Sequence, residues 1–136
     1  MARLGALALA TLGLGCSSPA ADLDTAPLVE VDSVTSQSGA VQIDMLAHGA
    51  TPVRGLHTMQ LIFTNVSDGA PVEALELEIV PWMPAMGHGT SLLPQVEELG
   101  SGVYEIDDLD LYMAGQWQLR TGFGSSDNAE PALQIE

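Results

Sequence analysis

The sequence predicts an all-β chain, an antiparallel sandwich of two sheets with about seven strands. Three observations carry that expectation. After residue 27 the apolar residues recur with a period of two, and no stretch has the longer period of an amphipathic helix. Clusters of Gly, Pro, Asn, Asp and Ser punctuate the short segments. Roughly a hundred residues of such segments suit two packed sheets better than a closed barrel.

The elements follow in order. Residues 28–34 and 40–45 read as the first two strands, with 36–39 as their turn. Residues 57–64 alternate Met59, Leu61 and Phe63 against Gln60, Ile62 and Thr64, and residues 65–71 supply the next turn. The cleanest alternation is at 73–80, where Leu75, Leu77 and Ile79 oppose Glu76 and Glu78. Residues 103–111, 116–123 and 132–135 complete the set. Trp117 and Leu119 fall on the inward parity, and a buried tryptophan at the centre makes the expected sandwich immunoglobulin-like. Residues 127–130 read as a terminal turn. Glu105, Asp107, Asp108 and Asp110 form an acidic run without the glycine-punctuated spacing of a Ca²⁺ loop, which fits a solvated strand face.

The N-terminus has a different grammar. Arg3 supplies a positive charge, residues 4–14 are apolar or small, and Gly13, Leu14 and Gly15 precede Cys16. The apolar run is about half the length that spans a bilayer core, so the order of charge, apolar run and small residues reads as an export signal. The run Leu12-Gly13-Leu14-Gly15-Cys16 resembles a lipobox, with Gly13 where leucine is usual. That resemblance implies cleavage before Cys16 and lipid on its sulfur; the alternative is an ordinary signal cut near Ala21. The expected organisation is signal peptide 1–15, lipidated N-terminus and flexible tether 16–27, and sandwich 28–136. Cys16 is the only cysteine, so no internal disulfide is available. The expected location is a bacterial membrane facing the periplasm, and Ser17 after the cysteine leans towards the outer membrane.

The charge narrows the function classes. The chain has 18 acidic residues and 3 basic ones, all arginine. Loss of Arg3 with the signal leaves 2 − 18 = −16. Such a surface repels phosphate backbones, which excludes nucleic-acid partners. Solubility or adaptation to salt accounts for the acidity better than cation capture does. With 3 histidines and no cysteine nucleophile in the sandwich, no acid, base and nucleophile set is legible, and the expectation is a non-enzyme.

Residues 81–91 are expected to form a loop that places Met83, Met86 and His88 close together. Pro81 and Pro84 stiffen it, and Gly87 and Gly89 flank the histidine. Thioether sulfur is soft and prefers Cu(I) to hard ions, and imidazole accepts both copper states. The set therefore points to copper, with a packed loop whose histidine bonds backbone as the alternative. His57 and Met59, two apart in a strand, are weaker candidates, and His48 and Met45 weaker still.

The block Met83-Pro84-Ala85-Met86-Gly87-His88-Gly89, then Pro94, Gly102-Val103-Tyr104 and Met113-Ala114-Gly115-Gln116-Trp117, resembles the YtkA-like domain family, itself related to FixH-type proteins. The resemblance runs over roughly residues 55–121. Ala114 stands where proline is common. The resemblance implies an immunoglobulin-like sandwich, often exported or tethered, with some members linked to copper supply for respiratory oxidases. Met113 joins Met83, Met86 and His88 as an implied ligand. The reading is a lipid-anchored domain that stores, senses or delivers copper, with the membrane and an envelope or respiratory-complex protein as partners. The alternative is a metal-free structural or interaction module.

Overall fold

Alternation decides the first sheet. In β2 (Val41–His48), Val41, Ile43, Met45 and Ala47 are buried, while Gln42, Asp44, Leu46 and His48 have the opposite parity. The same parity holds in β3 (Gly55–Asn65), where Met59, Leu61 and Phe63 are buried. The computed structural model describes residues 26–124 and 126–136. Among them β1 (Leu28–Thr35), β2, β3, β7 (Val103–Leu111) and β6 (Gln95–Gly100) form one antiparallel sheet in the order β1-β2-β3-β7-β6.

The second sheet runs β10-β8-β4-β5, from β10 (Ala132–Ile135), β8 (Gly115–Phe123), β4 (Glu78–Met83) and β5 (His88–Gly89). The short β9 (Asp127–Ala129) pairs with the end of β8, on the side opposite β4. The core lies between the sheets. Its largest fully buried side chains are Trp117, Tyr104 and Phe63, and Phe63 meets Tyr104 and Phe123 edge-on at 5.2 Å. The chain is thus an all-β sandwich centred on aromatic packing, with Trp117 inside as its parity predicted. No helix among the described residues is long and apolar enough to cross a membrane. The expected export signal, Cys16 and nearly all of the expected tether lie outside the described residues.

Three expectations need correction. The strand expected at 73–80 begins only at Glu78 and runs on to Met83. Residues 73–77 instead cross from one sheet to the other. Ala74 has φ of 58°, its N–H donates to Glu98 Oε2 at 2.8 Å, and the Leu75 N–H donates to the Tyr104 hydroxyl at 3.0 Å. Side chains satisfy the backbone there, so no strand partner is needed, and Leu75 and Leu77 still pack on the core. Secondly, Pro81, Trp82 and Met83 belong to strand β4, not to a loop. β5 pairs with only Trp82 and Met83, so β4 is an edge over most of its length, where a residue without N–H is tolerated. Thirdly, the described residues form ten strands, not about seven. Residues 127–129 pair as β9 instead of ending in a turn, and β5 and β6 were not anticipated.

Candidate functional site

The hairpin that joins β4 to β5 is closed by its own sequence. Pro84 takes the second position of a turn in which Met86 N donates to Met83 O at 3.2 Å. Gly87 follows with φ of 66°, and its N–H donates to the same oxygen at 3.0 Å. Met83 and His88 are thereby set opposite each other. A Cβ on Gly89 would stand 2.2 Å from the Pro81 carbonyl oxygen, so only glycine allows this closure.

The hairpin docks on the turn between β7 and β8. The Tyr112 hydroxyl donates to Gly89 O at 3.3 Å. The Met83 methyl reaches the backbone of Gly115, where an added Cβ would stand 2.8 Å from it. Trp117 Nε1 donates to Met113 O at 3.0 Å, and the Tyr112 and Trp117 rings meet at 5.7 Å. The hairpin and the Met113 turn therefore share one pole of the sandwich.

Their side chains are not equivalent. Met83 is only 2 % exposed and belongs to the core, because it has the inward parity of β4 while its neighbour Trp82 lies under Arg120, 4.6 Å from the ring centre. Met86, at the tip, is 53 % exposed. His88 and Met113 are half-buried, and Met113 packs against the core. His88 Nδ1 lies 3.2 Å from Gly89 O. A carbonyl only accepts, so that bond puts the proton on Nδ1 and leaves the lone pair on Nε2, which has no partner among the described residues.

The weaker candidates lie away from the hairpin. Met59 and Met45 are fully buried in the core. His57 Nε2 bonds the Val53 carbonyl oxygen. His48 has a nearly buried side chain on the opposite parity of β2. Sequence reading missed Tyr112 as the hairpin's anchor, since its partner Gly89 lies 23 residues away and no local pattern marks the contact.

The fold and this pole define a small β-sandwich domain whose distinctive feature is a Met- and His-bearing hairpin seated on the β7–β8 turn. The family model described as YtkA-like matches residues 51–122, more than half of the chain, and the chain belongs to that family. No curated protein and no solved structure matches it significantly.

Proposed function

We propose that this YtkA-like domain handles copper outside the cytoplasm, held at a membrane by lipid on Cys16, and that it carries Cu(I) at the hairpin pole. His88 Nε2 and the thioethers of Met86 and Met113 are the donors. The buried Met83 holds the hairpin on Gly115 instead of acting as a ligand. The observation that carries the reading is the His88 contact: Nδ1 lies 3.2 Å from the Gly89 carbonyl oxygen, the usual kind of second partner of a metal-bound imidazole, which leaves Nε2 to face a metal. Two soft sulfurs on the same pole of the sandwich as that imidazole would select Cu(I) over Zn²⁺, Mg²⁺ or Ca²⁺. Uncharged donors that do not form disulfides also suit an oxidising compartment.

The metal-free docking reading has its own support. Leu92 and Leu93, shortly after the hairpin, are exposed, as is Tyr112. Copper binding decides between them. The full chain with Cys16→Ser, so that no thiolate competes, titrated with Cu(I) against a competing chelator is expected to bind one ion more tightly than about 1 μM. His88→Gln and Met86→Leu should each weaken binding at least about tenfold, the lower end of what loss of a ligand's supporting partner alone costs. Met86 is exposed, so its replacement leaves the fold intact. Binding weaker than micromolar, or indifferent to both changes, would leave the hairpin as a docking feature.

A further inference from the structure

The outer face of the five-stranded sheet carries a second cluster that shares no residue with the hairpin. Strand register assembles it. Leu46, Gln60, Glu105 and Glu97 form one row across β2, β3, β7 and β6. His48 and Asp107 flank that row on the same side, and Thr58 Oγ1 donates to Asp107 Oδ1 at 2.9 Å, fixing that carboxylate. One oxygen from each of Glu97, Glu105 and Asp107 lies within 4.8 Å of the others.

Three carboxylates this close repel one another, and among the described residues no arginine comes within salt-bridge distance to offset them. The one basic side chain beside them is His48, whose Nε2 is 4.0 Å from Glu105 Oε2. That side chain is 5 % exposed, yet neither ring nitrogen has a hydrogen-bond partner among the described residues. An imidazole buried with both nitrogens idle is costly by itself. An acidic run along β7 alone fits a solvated face; a buried, unpartnered imidazole aimed into a cross-strand carboxylate triad does not.

We propose that His48, Glu97, Glu105 and Asp107 form a binding site for a divalent transition-metal ion of the Zn²⁺ class. A cation relieves both the carboxylate repulsion and the idle Nε2. The donor set fixes its class. One imidazole with carboxylates suits Zn²⁺ and its neighbours, the lack of sulfur disfavours Cu(I), and Ca²⁺ or Mg²⁺ would want oxygen alone. Donors about 2.1 Å from one tetrahedral ion stand roughly 3.4 Å apart, so binding draws His48 Nε2 towards Glu105 Oε2 from 4.0 Å and draws the three carboxylate oxygens together from within 4.8 Å of one another. Glu97, exposed on the edge strand β6, has the freedom to make the largest of these moves. A cleft lined by His48, Thr51, Pro52, Val53 and Thr58 gives an approach to the imidazole.

The test is a Zn²⁺ titration of the full chain against a chromophoric chelator, with Cys16→Ser throughout so that no thiolate competes. One ion is expected to bind more tightly than about 10 μM. His48→Gln and Glu105→Gln should each weaken it at least about tenfold. Glu97→Gln alters only an exposed side chain, so its loss of affinity cannot be blamed on unfolding. The double change Met86→Leu, His88→Gln should leave Zn²⁺ affinity unaltered. The proposal is overturned if no saturable binding is seen, if His48→Gln and Glu97→Gln bind as the parent does, or if millimolar Mg²⁺ displaces the ion. It is equally overturned if the hairpin variants, not the His48 variant, lose Zn²⁺.

Discussion

Asp127 ties the turn between β1 and β2 to the second sheet. Ser38 donates to it twice, through its hydroxyl at 2.6 Å and its N–H at 3.1 Å, and the Asn128 N–H adds a third bond at 2.9 Å. Partial burial is the largest single influence on the carboxyl and pushes its pKa up, but the bonds from Ser38, Ser36 and Asn128 together outweigh it and hold the value below normal. A carboxyl depressed in the folded state contributes stability above its unfolded pKa, and that contribution disappears as pH falls through the folded value. Asp127→Asn is therefore expected to lower the melting temperature at neutral pH. The gap to the parent should shrink as pH drops below about 4. A gap that is constant from pH 7 to below about 3 would mean that the charge of Asp127 contributes nothing.

At the scale of elements, the crossover 72–77 depends on one hydroxyl. Tyr104 Oη accepts from the Leu75 N–H, and it lies 3.1 Å from Val72 O and 3.3 Å from Glu98 Oε2, sharing its proton between them. Burial raises its pKa, and the charge of Glu98 adds to the rise against the lowering effect of the Leu75 N–H. The neutral phenol is the form that folding favours. Tyr104→Phe keeps the edge-on contact with Phe63 but leaves the Leu75 N–H and Val72 carbonyl unpaired, at a cost of about 1–3 kcal/mol. Urea midpoints measure this, and exchange of the Leu75 amide should quicken more than that of Leu61. An unchanged midpoint would mean that water replaces the hydroxyl without loss.

That crossover also marks where sequence patterns stop being informative. Strands 103–111 and 132–135 have the bounds that their sequence predicts, since each buries residues in the core, although a bulge at Asp108 shifts the buried parity of β7 between Ile106 and Leu109. The same alternation at 73–77 misleads, because Leu75 and Leu77 reach the core from a segment that pairs with no strand. β6 escapes notice for the opposite reason: at an edge, Val96, Glu97, Glu98 and Leu99 are all exposed, and a strand with no buried face leaves no period. The hairpin is half legible. Spacing brings Met83, Met86 and His88 together, but only the continuation of β4 through Pro81 turns Met83 inward. The His48 cluster is legible only in fragments, as a weak candidate histidine and an acidic run, since residues 48, 97 and 105 meet only through the register of four strands.

Over the whole molecule, acidity sets how the fold responds to its surroundings. The net charge is −15, and the described residues contain two cations, Arg54 and Arg120, of which Arg120 lies over Trp82. With carboxylates on both sheets and so little to offset them, compaction concentrates like charge, and the unfolded chain relieves it. Screening should therefore favour the folded state. From about 20 mM to about 0.5 M NaCl the Debye length falls from roughly 20 Å to roughly 4 Å, below the spacing of most surface carboxylates. Thermal unfolding at neutral pH should move upward by several degrees over that range, since about 1 kcal/mol corresponds to about 4 °C or more in a domain of this size. A melting temperature that is flat or falls with salt would show that local pairings such as Thr58 to Asp107 and Ser38 to Asp127 already compensate the acidity. The dependence also separates general screening from specific capture. If the sheet-face cluster holds a divalent ion, micromolar Zn²⁺ should stabilise the chain at both ionic strengths, and His48→Gln should remove that increment while leaving the response to NaCl intact.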